Sequence, residues 1–264
     1  MLQSKESAQG LRNTLPRRTA ILATEKSIGR LCQRSSRVTF LPGNLCVKSG
    51  RSVRLTEALT MEYIRKHTTI PVPKVFCAFE HNGTVYIAME RLSGTPLGRG
   101  WTRRSEATKA DILRQLQGYV NQLRDLPRPS GQNLVAAIDG GPFLDERLPG
   151  PSGLVGPFAS GQGPNSRHSE DIQHFLVLHD ETSEDVCFTH NDLSSLNILV
   201  EDQQVTGIID WENAAWLPSY WEYTSAWHVN PQNMFWQDEV NKLLGVFERE
   251  LEMEKLRRRH FGDY

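Results

Sequence analysis

The stretch Phe188 to Glu212, FTHNDLSSLNILVEDQQVTGIIDWE, decides how this chain is read. It sets His190, Asp192 and Asn197 in the spacing H-x-D-L-x-x-x-N and places a further carboxylate, Asp210, at the end of the apolar run Gly207-Ile208-Ile209. Phosphoryl transfer needs one carboxylate to orient the attacking hydroxyl, and separate oxygen ligands to hold magnesium against the phosphates. The spacing is that of a phosphoryl-transfer catalytic loop. In that reading Asp192 orients the hydroxyl, Asn197 and Asp210 hold the metal, and His190 braces the loop by hydrogen bonds. Ile198 to Val200 and Val205 to Ile209, flanking the polar Glu201 to Gln204, predict a hairpin that returns the chain to the end it left. The competing reading makes Asp192 and Asn197 turn formers and His190 an ordinary loop histidine.

Upstream, Val38 to Leu41, Pro42-Gly43-Asn44 and Leu45 to Lys48 predict a second hairpin. Lys48 ends an apolar strand, where a lone charge calls for a partner. Glu57 is the natural one, with Glu62 the alternative; both lie in a predicted helix over 55–66 whose Leu55, Ala58, Leu59, Met61 and Ile64 recur at helical spacing. A strand lysine paired to a helix glutamate holds the α and β phosphates of ATP in kinases. The plainer reading has Lys48 snorkelling and Glu57 favouring a helix N-terminus. No G-x-G-x-x-G precedes Lys48; the turn around Arg34-Ser35-Ser36 is the candidate replacement, with Ser35 and Ser36 offering backbone N–H groups and hydroxyls to phosphate. Pro71 and Pro73 enforce an extended segment, and Val75 to Ala78 with Thr84 to Glu90 predict a third hairpin around His81-Asn82-Gly83.

The chain resembles the aminoglycoside phosphotransferase and choline kinase family, most closely the phosphotransferase-like proteins abundant in fungi. The likeness runs from about Arg37 onward. It is carried by Leu45-Cys46-Val47-Lys48, Glu57-Ala58, Ile70 to Val75, Met89-Glu90-Arg91, His190 to Asn197, Ile209 to Glu212 and Tyr220 to Tyr223. The resemblance implies an α+β, bilobal, protein-kinase-like fold with a small β-rich N-lobe and a larger, mainly helical C-lobe. We expect a tail or short helix over 1–28, the N-lobe over 29–92 and the C-lobe over 93–264. It also implies ATP and Mg2+ as cofactors, with the adenine met by backbone groups from Glu90 to Leu92, and a small-molecule hydroxyl as acceptor. The position after Asp210 holds Trp211-Glu212 rather than Phe-Gly, and no A-P-E follows, which argues against a protein substrate.

Trp211, Glu212, Trp216 and Glu222 admit two readings: a pocket for a cationic or amine-bearing alcohol, or core. In the second lobe, Ser105 to Asp125 predicts an amphipathic helix. Gly140 to Ser166, with seven Gly and five Pro, predicts a long loop, which the resemblance implies borders the acceptor site and which reads equally as a surface insertion, and Asp171 to His179 predicts a short helix. Val240 to Leu251 predicts a last helix whose basic end, Arg257-Arg258-Arg259, is solvated.

With 264 residues, 38% apolar and 23% charged, the chain can build two real cores. A net charge near -1 excludes general attraction to nucleic acid or anionic membrane. Four scattered cysteines without C-x-x-C spacing point to free thiols in the cytoplasm, and no Cys/His array suggests zinc. The first 37 residues carry eight Lys/Arg against two Glu, a bias shared by mitochondrial presequences and by a plain tail or packed helix. We expect a monomer with a small-molecule alcohol or amino-alcohol as its partner. Two other functions remain on the sequence. A non-catalytic nucleotide-binding scaffold would explain the missing glycine loop. A metal-dependent hydrolase using His190, Asp192 and Asp210 would leave Lys48 and Glu57 unexplained.

Overall fold

In the computed structural model, which describes residues 10–29, 31–128, 134–145, 147, 154–155, 158–159, 185–229 and 234–261, the chain divides into two compact units. The first comprises Met1–Pro96 and Ile198–Glu212, the second Leu97–Asn197 and Asn213–Tyr264. In chain order the elements are α1 (Leu15–Ser27), β1 (Arg34–Ser35), β2 (Val38–Leu41), β3 (Leu45–Gly50), α2 (Leu55–His67), β4 (Val75–His81), β5 (Thr84–Glu90), β6 (Thr95–Pro96) and α3 (Glu106–Arg124). There follow β7 (Leu134–Val135), β8 (Phe143–Leu144), β9 (Leu154–Val155), β10 (Phe158–Ala159), β11 (Val186–Thr189), β12 (Ile198–Glu201), β13 (Gln204–Ile208), β14 (Ala215–Pro218), α4 (Trp221–His228), α5 (Phe235–Leu243) and α6 (Glu248–Phe261).

The first unit is built on an antiparallel sheet in the order β1-β2-β3-β5-β4. Its hairpins follow from turn chemistry. Asn82 and Gly83 both adopt positive φ (51° and 70°), the combination that lets a two-residue loop match the twist of the strands it joins. Leu41, Val47, Cys77, Phe79 and Ala88 form a core on one face, against which Ile21 and Leu22 of α1 pack. Arg18 lays its guanidinium over the Phe79 ring. Residues 15–27 are therefore a helix seated on the sheet. Ala58, Met61 and Ile64 bury one face of α2, as their spacing predicts. The hairpin β12–β13 pairs Ile198 with Ile208 and joins this unit, not the second: β12 also pairs with β6, and the Ile208 N–H donates to the Pro71 carbonyl.

In the second unit α3 begins at Ser105, whose hydroxyl accepts from the Thr108 N–H, and buries Ile112, Leu113, Leu116, Val120 and Leu123. β11 pairs with β14 from Val186↔Pro218 to Thr189↔Ala215, which anchors the chain just before His190. Parts of the Gly/Pro-rich segment are ordered as short ladders, β8 with β9 and β10 with β7; the helix expected over Asp171 to His179 lies outside the described residues. The single last helix expected from Val240 to Leu251 is two. Leu244 turns extended (φ -110°, ψ 154°) beside Gly245, a poor helix former, and α6 starts afresh at Glu248. Nor is Arg257 solvated: it is buried, bonding Glu254 in bidentate fashion. Among the described residues no helix is long and apolar enough to cross a membrane.

Candidate active site

Strand β3 carries Lys48 into the interior of the first unit, where it is only 4% exposed. Its ammonium donates to Glu57 Oε1 at 3.0 Å and to Asp210 Oδ1 at 2.6 Å, with Glu57 Oε2 and Glu212 Oε2 in ion-pair contact at 2.9 and 3.0 Å. Glu57 comes from the first turn of α2; Asp210 and Glu212 come from the segment leaving β13. Asp210 sits at φ 65°, a left-handed conformation that costs a non-glycine residue and is tolerated where the surroundings over-determine it. Burial works against the Lys48 ammonium, yet Glu57, Asp210 and Glu212 together hold its pKa above the ordinary lysine value. Burial pushes the Glu57 carboxyl up to about 7 in spite of Lys48.

Arg37, in the turn between β1 and β2, completes the cluster: Nη2 lies 2.6 Å from Glu212 Oε1, and Nη1 donates to Ser52 Oγ at 3.3 Å. Nothing local in the sequence marks Arg37, a turn arginine, as the partner of a residue 175 positions away. Two cations thus face three carboxylates, an excess of negative charge suited to a divalent cation. One oxygen from each of Glu57, Asp210 and Glu212 lies within 4.8 Å of the others, and carboxylate oxygens are the donors magnesium prefers.

The second unit presents the loop. Asp192 Oδ2 accepts from Asn197 Nδ2 at 2.8 Å, and the same amide nitrogen reaches the Asp192 carbonyl at 2.9 Å. That leaves Asn197 Oδ1 as the atom able to ligate a cation. His190 is fully buried, and its Nδ1 accepts from the Asp192 N–H at 3.2 Å, a bracing contact within the loop. Beneath the loop lies Glu222 of α4, 2% exposed, accepting the His190 N–H at 2.5 Å on Oε2 and the Asn191 N–H at 3.1 Å on Oε1.

The four residues offered as an acceptor pocket take other places. Trp211 is wholly buried and donates its indole N–H to the Ile208 carbonyl. Trp216, 3% exposed, packs edge-on against Phe188. Glu222 holds the loop from behind, and Glu212 belongs to the Lys48 cluster. Large rings are sequestered wherever their strands face inward, so the aromatic density marks core here. Ser35 and Ser36 are exposed at the β1–β2 turn, Ser36 at φ 50°. Glu90 and Leu92 border a cavity of about 410 Å³ that Ile70, Pro71 and Val72 also line.

Glu222 makes the loop's anchorage sensitive to pH. Burial pushes its carboxyl up to about 7 from an ordinary value of 4.5, although the two N–H donors pull the other way. The folded protein therefore keeps a proton that the unfolded chain releases between those values. Glu222 contributes most to stability below pH 4.5, and that contribution is lost as pH rises to about 7. In Glu222→Gln one N–H loses its acceptor, because an amide offers a single oxygen. Chemical denaturation at pH 5 and pH 7.5 is expected to show a smaller stability difference for the variant than for the parent. An unchanged difference would remove Glu222 as its source.

Comparison with known proteins gives a consistent neighbourhood. The sequence model of the phosphotransferase enzyme family matches residues 51–260. An aminoglycoside 3'-phosphotransferase of Niallia circulans is 27% identical over 146 residues; the match takes in 53% of this chain and 52% of the relative, so the chain spans about half the length of that curated protein. Among solved structures, the aminoglycoside phosphotransferase APH(4)-Ia superposes with a TM-score of 0.60 at 13% identity, covering 90% of this chain and 88% of the other. The ternary complex of APH(2")-IIa with streptomycin and ATP gives 0.57 at 12%, covering 94% and 88%. At such identities the likeness is one of fold, and it matches the expected β-rich N-terminal and helical C-terminal organisation.

Proposed function

Starting from the fact that this chain belongs to the phosphotransferase enzyme family, we propose that it is a small-molecule kinase, moving the γ-phosphate of ATP to a hydroxyl. The observation that carries the reading is the convergence of Glu57 and Asp210, from separate parts of the chain, on the buried ammonium of Lys48. A structural protein gains little by burying a lysine among three carboxylates, whereas a phosphate site needs a cation held ready and acids able to turn to a metal. Lys48, steadied by Glu57, receives the phosphates. Asp210 and Asn197 are the residues that would hold magnesium, with Glu212 beside Asp210. Bound there, the ion would offset charge on the transferring group. Asp192 orients the acceptor hydroxyl, braced by Asn197 and His190.

The acceptor proposed is an alcohol or amino-alcohol of the kind the relatives are named for, an aminoglycoside among the candidates. The near-neutral net charge supports a partner list confined to small molecules, and the four unbridged thiols a cytoplasmic setting. A panel of alcohols and aminoglycosides assayed for ADP release tests the activity: release that needs both magnesium and an acceptor supports it. The rival, a nucleotide-binding scaffold, draws on the missing glycine loop. It predicts thermal stabilisation by ATP with no acceptor-dependent ADP release; a kinase also requires metal for that stabilisation.

Arg37 stands where the glycine loop is missing, and its fork suits phosphate oxygens as well as the Glu212 carboxylate. Arg37→Ala is expected to raise the KM for ATP about tenfold, on the order of 1.4 kcal/mol, and to leave the KM for the acceptor alone. An unchanged ATP KM would confine Arg37 to bracing Glu212.

A further inference from the structure

The residue between His190 and Asp192 is held by side chains that no motif includes. Asn191 is 5% exposed and adopts φ 63°. Its Oδ1 accepts from Arg147 Nη2 at 2.6 Å, and its Nδ2 donates to Asp145 Oδ2 at 3.1 Å and to the Asn213 carbonyl at 3.3 Å. Arg147 and Asp145 form a bidentate pair, Nε to Oδ1 at 3.0 Å and Nη2 to Oδ2 at 2.8 Å, and the Arg147 N–H closes the turn on Oδ1 at 2.9 Å. Both side chains are at least nine-tenths buried. Trp221 of α4 donates its indole N–H to Asp145 Oδ2 at 2.8 Å and lies beneath the Arg147 guanidinium at 4.6 Å. Arg257 of α6 donates to the Arg147 carbonyl at 3.0 Å.

A buried ion pair rarely adds net stability over a well-packed apolar one, because removing both charges from water offsets most of their attraction. What it supplies is a fixed arrangement of directional donors and acceptors. Here those donors and acceptors converge on one amide side chain, adjacent in sequence to the carboxylate at the head of the loop. Arginine makes three such contacts at once because its fork is planar and rigid. Glu222 holds the backbone of the same residue. The position of Asp192 is thus set through its neighbour.

We propose that Asp145, Arg147 and Asn191 are positioning residues that fix the orientation of Asp192 toward the acceptor hydroxyl. This rests on the reading of Asp192 as the group that orients that hydroxyl. A double-mutant cycle tests it, pairing Asn191→Gly, which keeps the left-handed backbone and deletes the side chain, with the charge-balanced Asp145→Asn/Arg147→Met. Each arm is expected to lower kcat by about 10²-fold with the KM for ATP within about twofold. The combined variant should be no worse than either arm, because both break the same link. Losses that multiply, or a raised ATP KM with kcat preserved, would overturn the proposal.

Amide hydrogen exchange supplies a readout that needs no turnover. A peptide spanning residues 188–194 should exchange at least about tenfold faster in each arm and no faster in the combination, while a peptide from α3 stays unchanged. If the parent protein releases no ADP with any acceptor, the kinase reading fails and exchange alone judges the network. If exchange at 188–194 matches the parent in both arms, the network does not hold the loop.

Discussion

Asp192→Ala is expected to lower kcat by about 10³-fold, within the range of 10² to 10⁴ typical of a positioned acid or base, and to leave the affinity for MgATP nearly intact. The separation follows from where its contacts go. Asp192 Oδ2 is held by Asn197 Nδ2, and that nitrogen has a second acceptor in the Asp192 carbonyl, which the substitution preserves. The His190 and Asn191 N–H groups still end on Glu222. The loop therefore keeps its backbone anchors, and what is lost is the carboxylate itself. Asp192→Asn, nearly the same size but uncharged, should fall to a similar level. Single-turnover kinetics with calorimetric titration of MgATP measure the two quantities separately. If nucleotide affinity dropped as far as turnover, the loop would be a structural element and the proposed role of Asp192 would fail.

Lys48→Met is expected to act on stability and on nucleotide together. Lys48 is 5% exposed at its side chain and Glu57 2%, so the substitution leaves a buried carboxylate without the cation it faces. Breaking such a pair from one side costs about 3–5 kcal/mol, more than the lost attraction alone, because the remaining charge stays desolvated. MgATP binding should weaken by at least about 100-fold, a loss on the order of 2.7 kcal/mol. The double variant Lys48→Met/Glu57→Gln separates the two effects. Neutralising Glu57 should recover much of the stability measured by urea unfolding, since the stranded charge is gone, and should recover none of the binding. Normal MgATP affinity in the double variant would remove Lys48 from the phosphate site.

The proposed catalytic loop was legible because its chemistry is local. His190, Asp192 and Asn197 fall within eight residues, and the Asn197 bridge to Asp192 needs no more than the turn those residues form. Lys48 and Glu57 were legible for a related reason. A charge in an apolar strand, and another at the start of an amphipathic helix nine residues later, each call for a partner, and Glu57 is the first acid to follow Lys48. Strand alternation and turn residues such as Asn82-Gly83 drew the hairpins, because backbone φ preferences act at the residue that bears them.

Other assignments depended on which face an element turns inward, and composition does not state that. Trp211, Trp216 and Glu222 admit both pocket and core in the sequence, and only the packing of their segments chose burial. The partner of Glu212 is Arg37 in one direction and Lys48 in the other, across separations that no local spacing encodes. Asp145 and Arg147 lie in a Gly/Pro-rich run without periodicity, so their bond to Asn191 had no precursor in the pattern. By itself, then, the sequence determined the hairpins, the first amphipathic helices and the candidate reactive groups, because dihedral preference and side-chain chemistry belong to single residues and near neighbours. Tertiary structure decided which charges are desolvated together and which rings are sealed away, because desolvation depends on everything packed around a group, including chain far removed in sequence.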